Sequence, residues 1–503
     1  MNKRKQISQL LLIITLILIV FLNLLYTINT ENNFFQNSNL ADEISLNQSV
    51  RTILYIVLIV LCLYALLFYM FIRDNKKNLK VETLFIIVAS IFSILVTVAI
   101  PMSNGHDETI HAMRIYEYAE GKLISDGEKA HLEEGIINAI TEKSFYSDII
   151  NPEKTYSTNT EEVSYGYRIS TYSPVNYLPQ IVGIKIGRIF TTNSMVHLYL
   201  ARIFNIITCI TILYFAIKVA PFGKNLLFIL SCIPITIEGF STLSADGLLI
   251  AISFFWISYI LHLCNTTDKK IGKKQIAILL FSAITIALSK TIYIPLLLLL
   301  LLIPKEKWGN KKQCIITIIS IIVLSSLLDI GWYFIGIQKT PLENGESAIS
   351  FITKSPIAYI QKIIYSTFYY FEKYTNEIYG GAIEWNEQTT IHLFPYILLI
   401  FSIIVSITGK ETIKWKTSHK IIITLIILAV TFLVFTSMFL GCSKTDSRVI
   451  QGVQGRYFMP IIPLVFLLFG KKFIDTPQWA KRISMLVVIM QIYVVTTLFI
   501  HHI

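Results

Sequence analysis

Long apolar runs separated by short polar segments follow one another along almost the whole chain. About thirteen of these runs are long enough for a helix that crosses a bilayer, which needs roughly 20 consecutive apolar residues. The pattern predicts an all-α integral membrane protein. One of the runs, residues 226–243, is expected to form a single span. The first run follows Lys3 and Lys5 and lacks a small-residue cleavage site, so we expect an uncleaved membrane anchor rather than a signal peptide.

Basic residues indicate which ends of the predicted helices lie in the cytoplasm. They cluster at 73–80, 269–274, 305–312 and 410–420, whereas segment 103–171 is acidic. Because short cytoplasmic loops carry an excess of Lys and Arg, we predict a multi-pass protein of the cell membrane with its N-terminus in the cytoplasm. The alternation of spans then places the acidic segment and the C-terminus outside. The acidic segment is too short for a domain with a large core, so we expect it to form a few helices on the membrane surface.

The runs and loops divide the chain into four parts. Residues 1–80 form a predicted transmembrane hairpin, residues 81–335 a transmembrane core with an outer loop at 103–195, and residues 390–503 the C-terminal transmembrane helices. Residues 336–389 form a second outer loop. Its aromatic helix is expected to begin with Ser355 as N-cap and Pro356 as first helical residue, and to lie in the membrane interface.

Within the first outer loop, the apolar segment 181–190 needs a separate interpretation. It is short, follows two prolines and carries Lys185 and Arg188. We predict a juxtamembrane helix here rather than a span. If this helix lies on the membrane, the later Lys cluster at 269–274 falls in the cytoplasm, as the charge rule prefers.

Composition narrows the class of protein further. With 54% hydrophobic and 15% charged residues, the chain does not fit a soluble fold. The net charge of +11 lies in short loops between apolar runs, so the lipid bilayer, and not nucleic acid, is the expected partner. The six cysteines form no CxxC motif, so we expect neither a structural zinc site nor a disulfide framework.

One polar stretch, residues 103–114, carries two carboxylates, two imidazoles and a guanidinium directly after the third apolar run. Its pattern predicts a helix from Asp107 to Glu120. At helical spacing Asp107, His111 and Arg114 share one face, so we expect Arg114 to hold the Asp107 carboxylate ionised. Taken alone, the stretch fits a solvated amphipathic helix equally well.

Further ionisable groups fall near the predicted outer ends of later spans. They are Glu238, Asp246, Lys290, Asp329 and Arg456. Ionisable side chains at membrane depth are costly and usually face an internal cavity. A single basic residue such as Lys290 or Arg456 would more often extend to lipid headgroups. Both residues, however, are expected on the same side of the membrane as the polar stretch, which favours a common site.

A metal site is a second interpretation of the polar stretch. His106, Asp107 and His111 supply ligand types that zinc and manganese accept. Their spacing matches no HExxH motif, and the two histidines, five residues apart, do not share a helix face. A divalent cation therefore stays open as a cofactor, although the sequence does not require one.

Six short motifs occur in an order that resembles a bacterial family of polytopic membrane proteins of unassigned function. That family is grouped with the GT-C superfamily of lipid-dependent glycosyltransferases. The motifs are GHDETIH at 105–111, YSPVNYLP at 172–179, LARIFN at 200–205, LSADG at 243–247, SKTIYIP at 289–295 and QGRYFMP at 454–460. The similarity covers roughly residues 81–500 and leaves the hairpin of residues 1–80 outside.

The resemblance implies a GT-C-like helical bundle with a catalytic carboxylate in the first large outer loop and a polyprenyl-phosphate sugar as donor. On this sequence the catalytic role falls on Asp107, with Glu108 as its neighbour. Lys290 and Arg456, near the outer ends of later spans, are the basic residues expected to bind the lipid phosphate. Asp246 matches the family's acidic position between two spans.

We therefore expect a glycosyltransferase that acts on the outer face of the cell membrane. It would transfer a sugar, with inversion, from a polyprenyl-phosphate donor to a cell-envelope glycan or lipid acceptor. Further expected substrate contacts are His106, His111, Arg114, Glu238 and Tyr457. Two other classes stay open: a transporter or flippase of lipid-linked glycans, which should show broken helices or internal repeats, and a non-catalytic scaffold for envelope-polymer assembly.

Overall fold

The computed structural model describes residues 80–125, 129–142, 159–164, 172–266, 270–336, 345–380, 394–407 and 416–469, together with short helical pieces between 487 and 498. The predicted hairpin of residues 1–80 thus lies outside the described residues except for Lys80. The same is true of most of the last predicted span.

The described residues are mainly helical. In chain order the helices are α1 (Val81–Ala99), α2 (Glu108–Ala119), α3 (Glu134–Thr141), α4 (Leu178–Phe190), α5 (Ser194–Val219), α6 (Lys224–Cys232), α7 (Pro234–Ser241), α8 (Asp246–Asn265), α9 (Lys273–Ser289), α10 (Lys311–Gly336), α11 (Gly345–Lys354), α12 (Pro356–Tyr369), α13 (Phe371–Ile378), α14 (Phe394–Ile407), α15 (Thr417–Gly441) and α16 (Ile462–Phe469). Four 3-10 helices cover Pro174–Tyr177, Thr291–Leu302, Lys305–Trp308 and Gly455–Ile461.

Five of these helices are long and apolar enough to cross a membrane: α1, α5, α8, α10 and α15. The bent pair α6–α7 raises the number to six within the described residues. Thr291–Leu302 and α14 are apolar but shorter. The structure therefore supports a helical membrane protein, and the total of about thirteen spans stays a prediction.

The structure corrects one predicted span, the single helix expected from 226 to 243. The chain bends there by 61° between α6 and α7. Pro234 cannot donate a backbone hydrogen bond, and its ring forces Ile233 into an extended conformation, with ψ of 152°. Thr236 Oγ1 compensates in part by donating to the carbonyl oxygen of Leu230 at 2.9 Å.

The bundle is organised around α5, which packs against α1, α4 and α8. Small residues allow the closest approaches, as is usual between membrane helices. A Cβ at Gly183 of α4 would lie 2.6 Å from Ala201 Cα on α5. A Cβ at Gly247 of α8 would lie 2.2 Å from the carbonyl oxygen of Gly239. A larger side chain at either glycine would therefore push two helices apart.

The first outer loop contains a sheet that the sequence did not predict. Strands β1 (Lys129–Glu133) and β2 (Thr160–Ser164) pair antiparallel, with Lys129 opposite Ser164 and Glu133 opposite Thr160. We expected only short surface helices here, because the strands are brief and rich in Glu. With 13 residues, α4 is too short to span a bilayer, in agreement with the predicted juxtamembrane helix.

In the second outer loop, α12 begins as the sequence predicts. Ser355 is the N-cap and Pro356 the first helical residue. Ile357, Ile364 and Phe368 are exposed along one side of this helix. An exposed apolar stripe of this kind fits the predicted position in a membrane interface.

Candidate functional site

Arg202 on α5 joins the segments that form the candidate site. Its guanidinium donates to the carbonyl oxygens of Thr97, Ile100 and Pro101 at 3.0, 2.8 and 2.9 Å, and so closes the C-terminal end of α1. The same group donates to both carboxylate oxygens of Glu108 at 2.9 and 2.8 Å. A planar guanidinium with five N–H donors can hold several acceptors at once.

Structural partners surround the Glu108 carboxylate. Besides Arg202, it accepts hydrogen bonds from the backbone N–H groups of Leu243 at 2.8 Å and Gly105 at 3.2 Å. Its side chain is only 1% exposed. The family resemblance implied a catalytic role for Asp107, with Glu108 as its neighbour. The structure instead places Glu108 in a dry ion pair that fastens the loop after α1 to α5 and to the turn before α8.

Asn205, one turn further along α5, holds the turn between α7 and α8. Its amide group donates to the carbonyl oxygens of Gly239, Phe240 and Thr242 at 3.1, 3.0 and 3.2 Å. The last carbonyl groups of a helix have no partner within the helix, so Asn205 stabilises the end of α7. This contact positions Asp246 as the first residue of α8.

The YSPVNYLP motif supports the position of Lys290. Ser173 Oγ donates to the carbonyl oxygen of Leu288 at 2.8 Å, and Asn176 Nδ2 donates to that of Ser289 at 3.0 Å. Both carbonyl groups belong to the last turn of α9. The motif therefore caps α9, and Lys290 follows directly at the same end of the bundle.

Four side chains from four separate segments form one ion-pair cluster at this end. Lys290 Nζ donates to Asp246 Oδ1 at 2.7 Å, and Arg456 Nη1 donates to Asp246 Oδ2 at 3.0 Å. Arg456 Nη2 also donates to Asp107 Oδ2. Arg456 Nε donates to Gln454 Oε1 at 2.6 Å. The structure thus brings together Asp107, Asp246, Lys290 and Arg456, called the ion cluster below.

Asp107 is the most accessible member of the ion cluster. Its side chain is 28% exposed, compared with 10% for Asp246. Asp107 is the N-cap of α2, with a left-handed backbone (φ 57°) that Asp adopts more readily than most residues. Burial raises the pKa of the Asp107 carboxyl most strongly, but the charge and hydrogen bond of the Arg456 guanidinium oppose burial, and the balance of the surrounding groups holds this pKa below its usual range. Asp107 is therefore ionised at neutral pH.

Arg114 is not the partner of Asp107 that the sequence predicted, and that prediction is wrong. Arg114 is fully buried. Its guanidinium donates to Glu117 Oε2 at 2.9 Å and to the Tyr118 hydroxyl at 2.7 Å. It therefore braces α2 from within, and Arg456 takes the place beside Asp107.

His111 is a buried neutral group next to the ion cluster. Its Nδ1 lies 2.7 Å from the Tyr177 hydroxyl. Burial lowers the pKa of His111 to about 4, although Asp246 and Asp107 favour its protonated form. At neutral pH it carries no charge, so it adds no cation to the cluster.

His106 and Glu238 form a separate pair beside the ion cluster. His106 Nδ1 lies 2.6 Å from Glu238 Oε1, and the His106 backbone N–H donates to the same oxygen at 3.2 Å. Glu377 on α13 accepts a hydrogen bond from the backbone N–H of Gly455 and interacts electrostatically with His106 and Arg456. Burial raises the pKa of Glu377.

Two tyrosine rings face the Lys290 ammonium group. The ring centroids of Tyr457 and Tyr172 lie 5.0 and 5.3 Å from Nζ. Such distances allow cation–π attraction. Tyr293 fixes the segment that carries Tyr457 by donating its hydroxyl to the Tyr457 carbonyl oxygen at 2.8 Å. Tyr457 therefore lies within the site, as one wall around Lys290.

The described residues contain no group of three or more His, Cys, Asp or Glu side chains that could hold a metal ion. His106 and His111 bond to different partners, so the zinc or manganese set of His106, Asp107 and His111 is not assembled here. Asp329 on α10 is buried and hydrogen-bonded to Thr291, which directly follows Lys290 in the chain.

Three residues of the site were not predicted from the sequence. Arg202 lies in the LARIFN motif, where an arginine inside an apolar run is itself a signal that we did not use. Tyr172 begins the YSPVNYLP motif, but a tyrosine near the end of a predicted span is also typical of a membrane interface. Glu377 has no sequence signal, because it is one of several glutamates in its loop.

A bundle of apolar helices with buried ion pairs at one end defines a polytopic membrane protein. Residues 90–465 match the model of a family described as predicted membrane protein (DUF2142). The match covers well over half of the chain and includes all six motifs, so the chain belongs to this family. No curated protein and no solved structure matches the chain.

Proposed function

We propose that this protein is a membrane glycosyltransferase that transfers a sugar from a polyprenyl-phosphate donor to a cell-envelope glycan or lipid. A fold does not define an activity, so the proposal rests on the site and on the resemblance to the GT-C superfamily. The observation that carries it is the ion cluster. Two cations and two carboxylates meet at one end of a membrane bundle, and one carboxylate is clearly more exposed than the other.

The two cations suit the phosphate group of such a donor. Arg456 offers a planar fork that binds two phosphate oxygens, and Lys290 adds a point charge. Asp246 bonds to both cations and holds them as one unit. Together these three groups carry one net positive charge. That charge equals the single negative charge of the phosphodiester that joins a sugar to a polyprenol.

Asp107 is the carboxylate that a phosphate can displace. It is the more exposed acid of the cluster and bonds to Arg456 alone among the cluster's cations. When a phosphate oxygen takes Nη2 of Arg456, the Asp107 carboxylate loses its cationic partner and the pKa of its carboxyl rises. A carboxylate with a higher pKa is a stronger base toward an acceptor hydroxyl. Donor binding would therefore activate Asp107.

The proposed reaction is a single displacement. The acceptor oxygen attacks the anomeric carbon while the bond from that carbon to the phosphate oxygen breaks. The hydroxyl proton passes to Asp107, and polyprenyl phosphate leaves with the electron pair. Lys290 and Arg456 stabilise the negative charge that develops on the leaving group. Attack from the face opposite the phosphate inverts the configuration.

The proposal places the site on the outer face of the cell membrane. Lys224, Lys273 and Lys311 begin helices, and Lys416 precedes one, at the end of the bundle opposite the ion cluster. Basic residues favour the cytoplasmic side, so the ion cluster falls outside. There a lipid-linked donor in the bilayer and an envelope acceptor would meet. The bilayer itself is the partner of the exposed apolar surface.

Transfer of labelled sugar from a polyprenyl-phosphate donor, in membranes that carry the wild type or a variant, tests the proposal. Asp107→Asn keeps the side-chain shape and removes the base, so transfer should fall by roughly 10²–10⁴-fold. Glu161→Gln is the matched control, because Glu161 is an exposed carboxylate on β2, and it should transfer normally. Turnover near the wild-type level by Asp107→Asn would remove Asp107 from catalysis.

One observation favours a second class, a transporter or flippase of lipid-linked glycans. The 61° bend between α6 and α7 is a broken helix, and transporters build substrate sites at such breaks. Purified protein in vesicles with a labelled lipid-linked sugar separates the classes. A flippase moves the intact donor between leaflets, whereas a glycosyltransferase releases polyprenyl phosphate only when acceptor is present. A scaffold would do neither.

A further inference from the structure

Helix α13 packs against the 3-10 helix that carries Arg456 as its second residue. The backbone N–H of Gly455, the first residue of this 3-10 helix, donates to Glu377 Oε2 on α13. Three residues further along, the ring of Phe458 lies 5.8 Å from that of Tyr374 on α13, centroid to centroid. A hydrogen bond and an aromatic contact therefore fasten the 3-10 helix to α13 on either side of Arg456.

Gly455 permits this contact because it has no side chain. A Cβ at this position would overlap the carbonyl oxygen of Tyr374. It would also lie 2.8 Å from Glu377 Cβ and 3.0 Å from the backbone nitrogen of Ile378. All three residues belong to about one turn of α13, so a larger residue would push the 3-10 helix away from α13. The glycine of the QGRYFMP motif thus has a packing reason.

Two further hydrogen bonds fix Arg456 from the other side. The Tyr293 hydroxyl donates to the carbonyl oxygen of Tyr457 at 2.8 Å, and Gln454 Oε1 accepts from Arg456 Nε at 2.6 Å. The main chain is therefore held directly before Arg456 by Glu377 and directly after it by Tyr293. Both Nη groups of the guanidinium are left to the ion cluster.

Helix α12 holds the loop that leads into the 3-10 helix. Lys362 Nζ donates to the carbonyl oxygens of Thr445 and Ser447 at 2.8 and 2.7 Å. Ser366 Oγ, one turn further along α12, accepts from the backbone N–H of Ile450 at 2.8 Å. At helical spacing these two side chains lie opposite the exposed apolar stripe of α12. The inner face of α12 therefore continues the support that α13 provides.

We propose that Glu377 and Gly455 position the Arg456 guanidinium for the phosphate of the donor. This inference rests on the proposed glycosyltransferase function and extends it. Glu377 is a positioning residue, because it acts on Arg456 through the backbone N–H of Gly455. The charge of Glu377 has its own partner in Lys373, whose Nζ lies 3.7 Å from Oε1, and it also interacts with His106 and Arg456. Oε2 remains for Gly455.

Equilibrium binding of labelled polyprenyl phosphate to the purified protein tests this role. This lipid is the product that the proposed reaction releases, and its use does not depend on which sugar is transferred. Glu377→Ala removes the hydrogen-bond acceptor and should weaken binding roughly tenfold. Glu377→Gln keeps an acceptor oxygen and should stay within about threefold of the wild type. Gly455→Ala should weaken binding as Glu377→Ala does. Glu372→Ala is the matched control, since Glu372 is exposed on the same helix.

A double-mutant cycle separates positioning from a general loss of structure. If Glu377 acts through Arg456, Glu377→Ala should cause no further loss of binding in protein that already carries Arg456→Ala. A loss of the same size in both backgrounds would mean that Glu377 has a merely structural role, and the inference would be wrong. Thermal unfolding of each variant shows that it is folded. If Gly455→Ala does not fold, the two Glu377 variants decide the question.

The outcomes distinguish this inference from the function on which it rests. If Arg456→Ala weakens the binding of polyprenyl phosphate but Glu377→Ala does not, the positioning role is wrong and the phosphate assignment stands. Equal losses in Glu377→Gln and Glu377→Ala would show that the charge acts rather than the hydrogen bond, which also overturns the inference. If the wild type neither binds polyprenyl phosphate nor transfers sugar, the proposed function itself fails.

Discussion

Asp107 and Glu108 are neighbours in the sequence but belong to two different ion-pair systems. Glu108 accepts two hydrogen bonds from Arg202 and two from backbone N–H groups, and its side chain is 1% exposed. Asp107 bonds to Arg456 and is 28% exposed. One carboxylate therefore lies in a closed structural pair, and the other lies at the edge of a shared cluster.

The difference shows that the ion pair that fastens the helices together is separate from the ion pairs that are available to a ligand. The Arg202 guanidinium donates all its hydrogen bonds to one carboxylate and three carbonyl oxygens, which leaves no N–H group for a ligand. Arg456 shares its guanidinium between two carboxylates, one of them accessible. A ligand of like charge can replace an accessible carboxylate, whereas breaking a closed pair leaves an unbalanced buried charge.

The largest predicted effect concerns the closed pair. Glu108→Gln removes the charge that balances Arg202, and breaking a buried pair costs roughly 3–5 kcal/mol of folding free energy. Arg202→Lys should lower the folding stability similarly, because an ammonium group lacks the planar fork of the guanidinium. Thermal unfolding of detergent-extracted protein measures both. Asp107→Asn is the control and should unfold near the wild-type midpoint. A Glu108→Gln protein that unfolds normally yet transfers no sugar would give Glu108 a catalytic role and break the comparison.

The sequence predicted local structure well where local rules decide it. Helix α2 begins at Glu108 and ends at Ala119, close to the predicted bounds, and Gly121 stops it with φ of +85°. Pro234 indicated a possible break in the helix. The apolar run around it is long enough for one span, however, so the sequence predicted a single helix. The sheet of the outer loop was missed because pairing between 129–133 and 160–164 depends on distant partners.

It was easier to predict which residues form the site than which of them form ion pairs with one another. Hydropathy decides which ends of the spans share a side, and on that basis Asp107, Lys290 and Arg456 fall together. Pairing depends on contacts between distant residues: Arg456 and Asp107 are 349 positions apart, and Arg202 and Glu108 are 94 apart. A single sequence contains no measure of such contacts, so local spacing favoured Arg114 as the partner of Asp107.

An effect of intermediate size, on donor affinity, is expected for Arg456, the cation that Asp107 and Asp246 share. Arg456→Lys keeps a positive charge but cannot contact Asp246 and a phosphate through one planar fork, so donor binding should weaken. Arg456→Ala should lose more, about 2 kcal/mol, which is roughly 30-fold in Kd. Equilibrium binding of labelled donor to purified protein measures both. Arg448→Ala is the matched control, because Arg448 is exposed and stacks on Tyr365 outside the cluster. Unchanged donor affinity in both Arg456 variants would contradict the phosphate assignment.

The smallest predicted effect tests whether Asp107 competes with the donor for Arg456. If the phosphate displaces the Asp107 carboxylate, Asp107→Asn removes a competitor and a like charge at once. A partly exposed ion pair is worth roughly 0.2–1 kcal/mol, so the variant should bind the donor up to about fivefold more tightly while its transfer is lost. The same binding assay measures this, with Glu161→Gln as the control that should not change. Weaker donor binding by Asp107→Asn would mean that Asp107 holds the donor directly, and displacement at Arg456 would then be the wrong account of how the base is released.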